Sequence, residues 1–221
     1  MQDFFRELDW SILVNAILSI IPALICITLH ELAHGYTAYR LGDQTAKQAG
    51  RLTLNPIKHI DIWGLLMMLI ASFGWAKPVP INPSNFKNPK RGMAITALAG
   101  PVSNVLIAAV ALLIYGVLVA LVPMTEVWNT ICGMVWRTAY LSVALAVFNI
   151  LPIPPLDGSK VLFSLLPDSA YFKLMRVEKF GFILLIVIVR TGIFSGTIGR
   201  LTDWLFVSLS GIAELAYKLL R

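Results

Sequence analysis

The chain has 221 residues, 57% hydrophobic and 14% charged, with a net charge of +6 and a mean hydropathy of +0.77. Soluble domains average roughly 45–50% apolar and about 25% charged, so this composition excludes an ordinary cytosolic globule, a disordered chain and a nucleic-acid-binding domain. Two cysteines, Cys26 and Cys132, without CxxC spacing, exclude a disulfide framework.

Charge-free runs locate the elements, because a bilayer core needs about 20 mostly apolar residues as helix. The opening residues carry Asp3, Glu7 and Asp9 against Arg6, the wrong sign for a signal peptide. The first run, Ser11–Leu29, is therefore expected to stay as a permanent helix. Ile62–Ala76 is charge-free over only 15 residues and reads as a re-entrant or interfacial segment. Pro78, Pro80, Pro83, Pro89 and Gly92 mark a loop before the next helix. Gly92–Thr125, 34 residues, and Thr138–Leu156, 19 residues, qualify as second and third spans. Pro152, Pro154, Pro155 and Gly158 mark the following loop, and residues 171–193 and 201–217 add two weaker spans. Segments 49–54 and 77–82 have extended character, with Pro78 and Pro80 suited to an edge strand. The fold class expected is an all-α polytopic membrane protein of about five transmembrane helices, with a re-entrant segment and short strands on the cytoplasmic side.

Residues 40–91 hold eight Lys or Arg against Asp43 and Asp61, which equals the +6 of the whole chain. The positive-inside rule places that stretch in the cytoplasm. Residues 122–137, with only Glu126 and Arg137, then lie outside, as does the N-terminus. Lys77, Lys87, Lys90 and Arg91 are read as cytoplasmic anchors on anionic lipid.

Segment one leads into His30-Glu31-Leu32-Ala33-His34. Residues four apart share a helix face, so His30 and His34 can reach one metal ion. Glu31 stands one step round, placed to take a proton from water during attack on a carbonyl. This is the zinc-metalloprotease arrangement. Ionisable groups inside a membrane segment are costly, which argues against a merely polar helix end.

Zinc needs a third protein ligand and an open position. Cys26 lies one turn before His30, but three residues in line on one helix do not surround an ion. His59 and Asp61 form a second polar cluster. Asp157, in Leu156-Asp157-Gly158, arrives at the cytoplasmic end of segment three, the same depth as the histidine pair. A turn in which Asp157 caps the helix that follows is the bland alternative.

His30–His34 together with Asn149-Ile150-Leu151-Pro152-Ile153-Pro154-Pro155-Leu156-Asp157-Gly158 resembles the site-2 protease family of intramembrane zinc metalloproteases. The resemblance extends to Gly50–Pro56, Phe73–Pro80 and Leu98–Asn104, and so covers about residues 20–165. It is that of the short subgroup without PDZ or CBS domains. Two departures stand out: many relatives carry a further helix before the zinc helix, and Ser159 stands where they often have a second Gly.

The resemblance implies one Zn²⁺ per chain, with Asp157 as third ligand beside His30 and His34, and a catalytic core of three helices. It implies that Asn149 binds substrate or a developing oxyanion; an interhelical hydrogen bond is the structural alternative. Asn104 is expected to be structural, within a stripe of small residues, and His59 a loop histidine. Residues 1–221 are expected to form a single integral membrane peptidase domain, with its core at about 11–166 and additional helices at about 171–217. The function expected is zinc-dependent hydrolysis of peptide bonds in or near transmembrane segments, Glu31 acting as general base. The partners are then transmembrane substrates and the bilayer, with no nucleic acid. The location is the cell membrane, multi-pass, with the site toward the cytoplasm, and an unwound substrate adding as a strand along 77–82. The alternative is a non-catalytic membrane protein that binds or transports the metal.

Overall fold

The computed structural model describes residues 10–64, 75–123, 125–177 and 180–221. Helix α1 spans Trp10–Arg40. It runs eleven residues beyond the charge-free run, so the histidine pair lies inside a helix rather than at its end. The chain leaves it at Leu41 and Gly42, where φ is +107°, a conformation that suits glycine. The short α2, Thr45–Gln48, and a 3-10 turn, Pro56–His59, follow. Most of the expected re-entrant segment, residues 65–74, lies outside the described residues.

Helix α3, Pro89–Leu121, is the spine of the molecule. Asn88 caps it by accepting the Arg91 N–H, and Pro89 sits in the first turn where no N–H is needed. One face is buried and made largely of small residues, among them Ala97, Gly100, Ala108 and Ala111. The opposite face exposes Ile95, Val102, Leu106, Val110 and Leu113. A helix that is apolar on its exposed face as well as its buried one suits a bilayer, where the outer face meets lipid. Small residues let neighbouring helices come close. A Cβ at Gly116 would lie 2.3 Å from the Ala213 carbonyl oxygen, so the last helix crosses α3 at that point.

Helix α4 spans Glu126–Asn149, whereas the third span was expected at 138–156. The helix starts earlier because Thr125 caps it and Glu126 suits its first turn. Arg137 does not interrupt it: its side chain is exposed and reaches Ser19 Oγ at 3.4 Å, a charge kept at the surface on a long stem. It stops earlier because Pro152, Pro154 and Pro155 cannot continue a helix. Helix α5, Asp157–Ser164, and α6, Asp168–Val177, come next. Helix α7, Gly181–Thr191, and α8, Ser195–Leu220, meet at an 87° bend, with Gly192 left-handed at φ +66°.

Among the described residues three helices are long and apolar enough to cross a membrane, or four if the bent pair counts as one span, against about five expected. Eleven residues of α7 extend about 16 Å, roughly half a hydrocarbon core. Ala108, Leu112, Ala139, Val143, Val147 and Phe206 pack as the core between α3, α4 and α8. No strand forms among the described residues; one antiparallel bridge joins Ile60 and Ala76. Residues 77–82 run without partners in a sheet. Their donors explain why: Pro78 and Pro80 have none, while the Val79 and Asn82 N–H groups go to Glu31 and Asp43.

Candidate metal centre

Helix α1 carries His30 and His34 on one face, and α3 crosses that face antiparallel. The structure brings Asp157 to the same point. His34 Nε2 lies 3.0 Å from His30 Nε2, and Asp157 Oδ2 lies 3.3 and 3.2 Å from the two nitrogens. Donor atoms about 2.0–2.1 Å from a tetrahedral zinc ion are about 3.3 Å apart, so these three atoms sit as three corners of such a tetrahedron. Asp157 Oδ2 is buried and makes no hydrogen bond of normal geometry, the condition expected of an oxygen that faces a cation. Two neutral imidazoles and one carboxylate are a donor set zinc accepts. The residues fit the metal.

Asp157 is the first residue of α5, and no side chain caps that helix. Its carboxylate goes to the histidines instead of to the capping position. Lys160 Nζ is 3.8 Å from Asp157 Oδ1 and 3.5 Å from the Pro155 carbonyl oxygen.

Glu31 is half-buried, and its Oε2 accepts the Val79 N–H at 2.9 Å. The loop that supplies this donor is itself held. Arg51 Nη2 donates to the Lys77 carbonyl at 2.6 Å, and the Lys77 N–H donates to the His59 carbonyl at 2.9 Å. Further along, Asp43 accepts from the Asn82 N–H at 2.7 Å and from Asn85 Nδ2 at 2.7 Å. A cavity of about 190 Å³ lies between this loop and the helices, lined by His30, Glu31, His34, Asp157, Asn149 and Lys160 along with Pro78 and Val79.

The other ligand candidates lie elsewhere. Cys26 Sγ meets Ser142 Oγ at 3.2 Å, packing α1 against α4. His59 is 1% exposed, and its Nε2 bonds the Thr53 carbonyl at 2.9 Å. Asp61 accepts the Gly64 N–H at 2.9 Å. Asn149 reaches the cavity, while its Nδ2 donates to the Leu145 carbonyl at 3.0 Å.

Sequence reasoning missed the wall that α3 builds behind the histidines. His34 Nδ1 lies 2.7 Å from the Thr96 carbonyl oxygen, and His30 Nδ1 lies 3.2 Å from Asn104 Nδ2. Between them Gly100 leaves no spare room: a Cβ there would lie 2.4 Å from His34 Nε2. Thr96, Gly100 and Asn104 are four apart, the same spacing as His30 and His34, and that shared period is the signal in the sequence. The Asp43, Asn82 and Asn85 cluster left no such signal.

Comparison with known proteins agrees with the geometry. The chain is 40% identical over 176 residues to "Putative zinc metalloprotease YwhC" of Bacillus subtilis, covering 78% of this chain and 80% of that protein. It is 30% identical over 207 residues to "Putative zinc metalloprotease Rip2" of Mycolicibacterium smegmatis, covering 90% and 76%. The Rip2 protein of Mycobacterium tuberculosis is 29% identical over 201 residues, covering 86% and 73%. No solved structure matches significantly. These names are those of proteases and do not favour a non-catalytic metal carrier. The signature of peptidase family M50 matches residues 18–189, and with that match across most of its length the chain belongs to peptidase family M50, the intramembrane zinc metalloproteases of the site-2 type.

Proposed function

We propose that His30, His34 and Asp157 hold the zinc ion of this intramembrane protease and that Glu31 handles the proton. The triangle of donor atoms at 3.0, 3.3 and 3.2 Å carries the reading. Zinc held there supplies a Lewis acid for the scissile carbonyl and makes water a better nucleophile near neutral pH. The chain's own residues do the rest. Val79 occupies one Glu31 oxygen and so orients the carboxylate, leaving the other oxygen to take a proton from water and pass it to the leaving amine. Asn149 has a second amide hydrogen beyond the one given to Leu145, available to a developing oxyanion in a water-poor cavity. Helices α1, α3 and α4 screen the site from lipid.

The substrates are membrane proteins cut in or near a transmembrane segment. We read the chain as one integral membrane peptidase domain of residues 1–221, multi-pass in the cell membrane, with its core at about 11–166. The site faces the cytoplasm, and the charge of residues 40–91 supports that orientation. The scarcity of free donors along 77–82 argues for substrate contacts there through carbonyls and side chains rather than a full added strand.

The test pairs metal content with cleavage of a membrane-embedded model substrate. Wild type holds about one zinc per chain. Glu31→Gln keeps it and loses cleavage by about 10²–10⁴-fold. Asp157→Ala loses both. Zinc retained at wild-type affinity in Asp157→Ala sinks the ligand assignment, and activity in Glu31→Gln sinks the base.

A further inference from the structure

A neutral imidazole that binds a metal through Nε2 must carry its proton on Nδ1, and that N–H needs an acceptor. For His34 the acceptor is plain: Nδ1 lies 2.7 Å from the Thr96 carbonyl oxygen, which can only accept. For His30 the group at hand is the Asn104 amide, its nitrogen 3.2 Å from Nδ1. An amide nitrogen cannot accept a proton. Asn104 is 0% exposed, and its Oδ1 is buried with no hydrogen-bond partner among the described residues. The two orientations of an amide have the same shape. Turning it over brings the unpartnered oxygen onto the His30 N–H.

We propose that Asn104 is a positioning residue of the metal centre: its Oδ1 accepts the His30 Nδ1 hydrogen and so fixes the tautomer that presents Nε2 to zinc. This rests on His30, His34 and Asp157 being the ligands. Residues 96 and 104 of α3 then perform one task for the two histidines, one through the main chain and one through a side chain, with Gly100 between them. The reading differs from a simple packing contact, because it requires an acceptor at position 104 and not merely a polar or bulky group.

The experiment measures zinc affinity by chelator competition on the purified full chain in detergent, together with thermal unfolding. Wild type and Asp157→Ala come first: if wild type holds no zinc, or Asp157→Ala holds it equally well, the ligand assignment fails whatever Asn104 does. With that satisfied, Asn104→Ala and Asn104→Leu are expected to weaken zinc binding by about 10–100-fold. Asn104→Asp, which accepts but does not donate, stays within a few-fold of wild type. Leu112→Ala, on the same helix and fully buried in the core, lowers the unfolding temperature without changing zinc affinity. Wild-type affinity in Asn104→Ala and Asn104→Leu overturns the proposal, as does a folded Asn104→Asp as weak as Asn104→Ala. If Asn104→Asp does not fold, ¹⁵N-histidine spectra decide, since the chain has only 3 histidines. A slowly exchanging His30 Nδ1–H in zinc-loaded wild type that shifts and exchanges faster in Asn104→Leu supports the proposal. An identical signal in both overturns it.

Discussion

The candidate site is held from two sides on different principles. The inner wall is one face of α3, where Thr96, Gly100 and Asn104 press on the histidines. Its positions follow from helix geometry and close packing, so they are stiff. The outer wall is the loop of residues 77–82, which has no sheet to hold it and hangs on Arg51, His59 and Asp43. The inner wall holds His30 and His34, the proposed ligands, and the outer wall holds Glu31, the proposed base. Damage to one should therefore read out as lost zinc, and damage to the other as slowed chemistry with zinc in place.

The largest effect is expected from Gly100→Ala. The new methyl must displace the His34 ring from 2.4 Å, so zinc content falls below a tenth of wild type and cleavage by about 10³-fold, on the order of the loss of a whole catalytic group. Zinc content equal to wild type breaks the comparison. Val79→Pro comes next. It removes the N–H that Glu31 accepts, and cleavage should slow by about 10–100-fold, as expected for a carboxylate turned from its geometry, at unchanged zinc content. Val79→Ala, which keeps the N–H, controls for lost packing and should cost only a few-fold.

Asp43→Ala tests the outer wall at its far anchor. Loss of a buried carboxylate with several donors should cost about 2–3 kcal/mol of stability, read as a lower unfolding midpoint in detergent. The contribution also has a pH signature. Burial pushes the Asp43 carboxyl up, but the donors of Thr45, Asn85 and Asn82 outweigh it and hold the carboxyl below its ordinary value. A carboxyl depressed in the folded state stabilises above the unfolded value of about 3.9, and that stability is lost as pH falls from there through the lower folded value. Wild type should therefore lose its advantage over Asp43→Asn in that acid window, and a constant gap would refute the role. The smallest effect is expected from His59→Ala, which leaves zinc bound and slows cleavage only a few-fold. Loss of zinc there would instead make His59 part of the metal centre.

What was legible in the sequence follows the same division. His30 and His34 are one helix turn apart with Glu31 beside His30, so their chemistry is local; Asp157 stood as one candidate beside His59 and Asp61, and only the family resemblance singled it out. The limits of α4 were not legible from charge alone, because Arg137 reads as a break when counted and proves to be an exposed side chain on a continuous helix. The outer wall was hidden because its bonds join residues far apart in the chain: Asp43 meets Asn82 across 39 positions and Glu31 meets Val79 across 48. Asn104 was visible as an oddity among small residues, but its partner His30 lies 74 positions away.

The matched four-residue spacing on α1 and α3 has a consequence for assembly. Two helices that meet through small apolar residues can slide past each other by one turn, about 5.4 Å, and still pack. Such a slip would set His34 Nδ1 and His30 Nδ1 opposite the wrong turn and part the buried amide of Asn104 from its ring nitrogen. Buried polar groups at single positions are known to select one register among near-equal ones. By the same physics, the polar contacts of His34 with Thr96 and of His30 with Asn104 favour one alignment of α1 on α3, the one that brings the proposed metal site together.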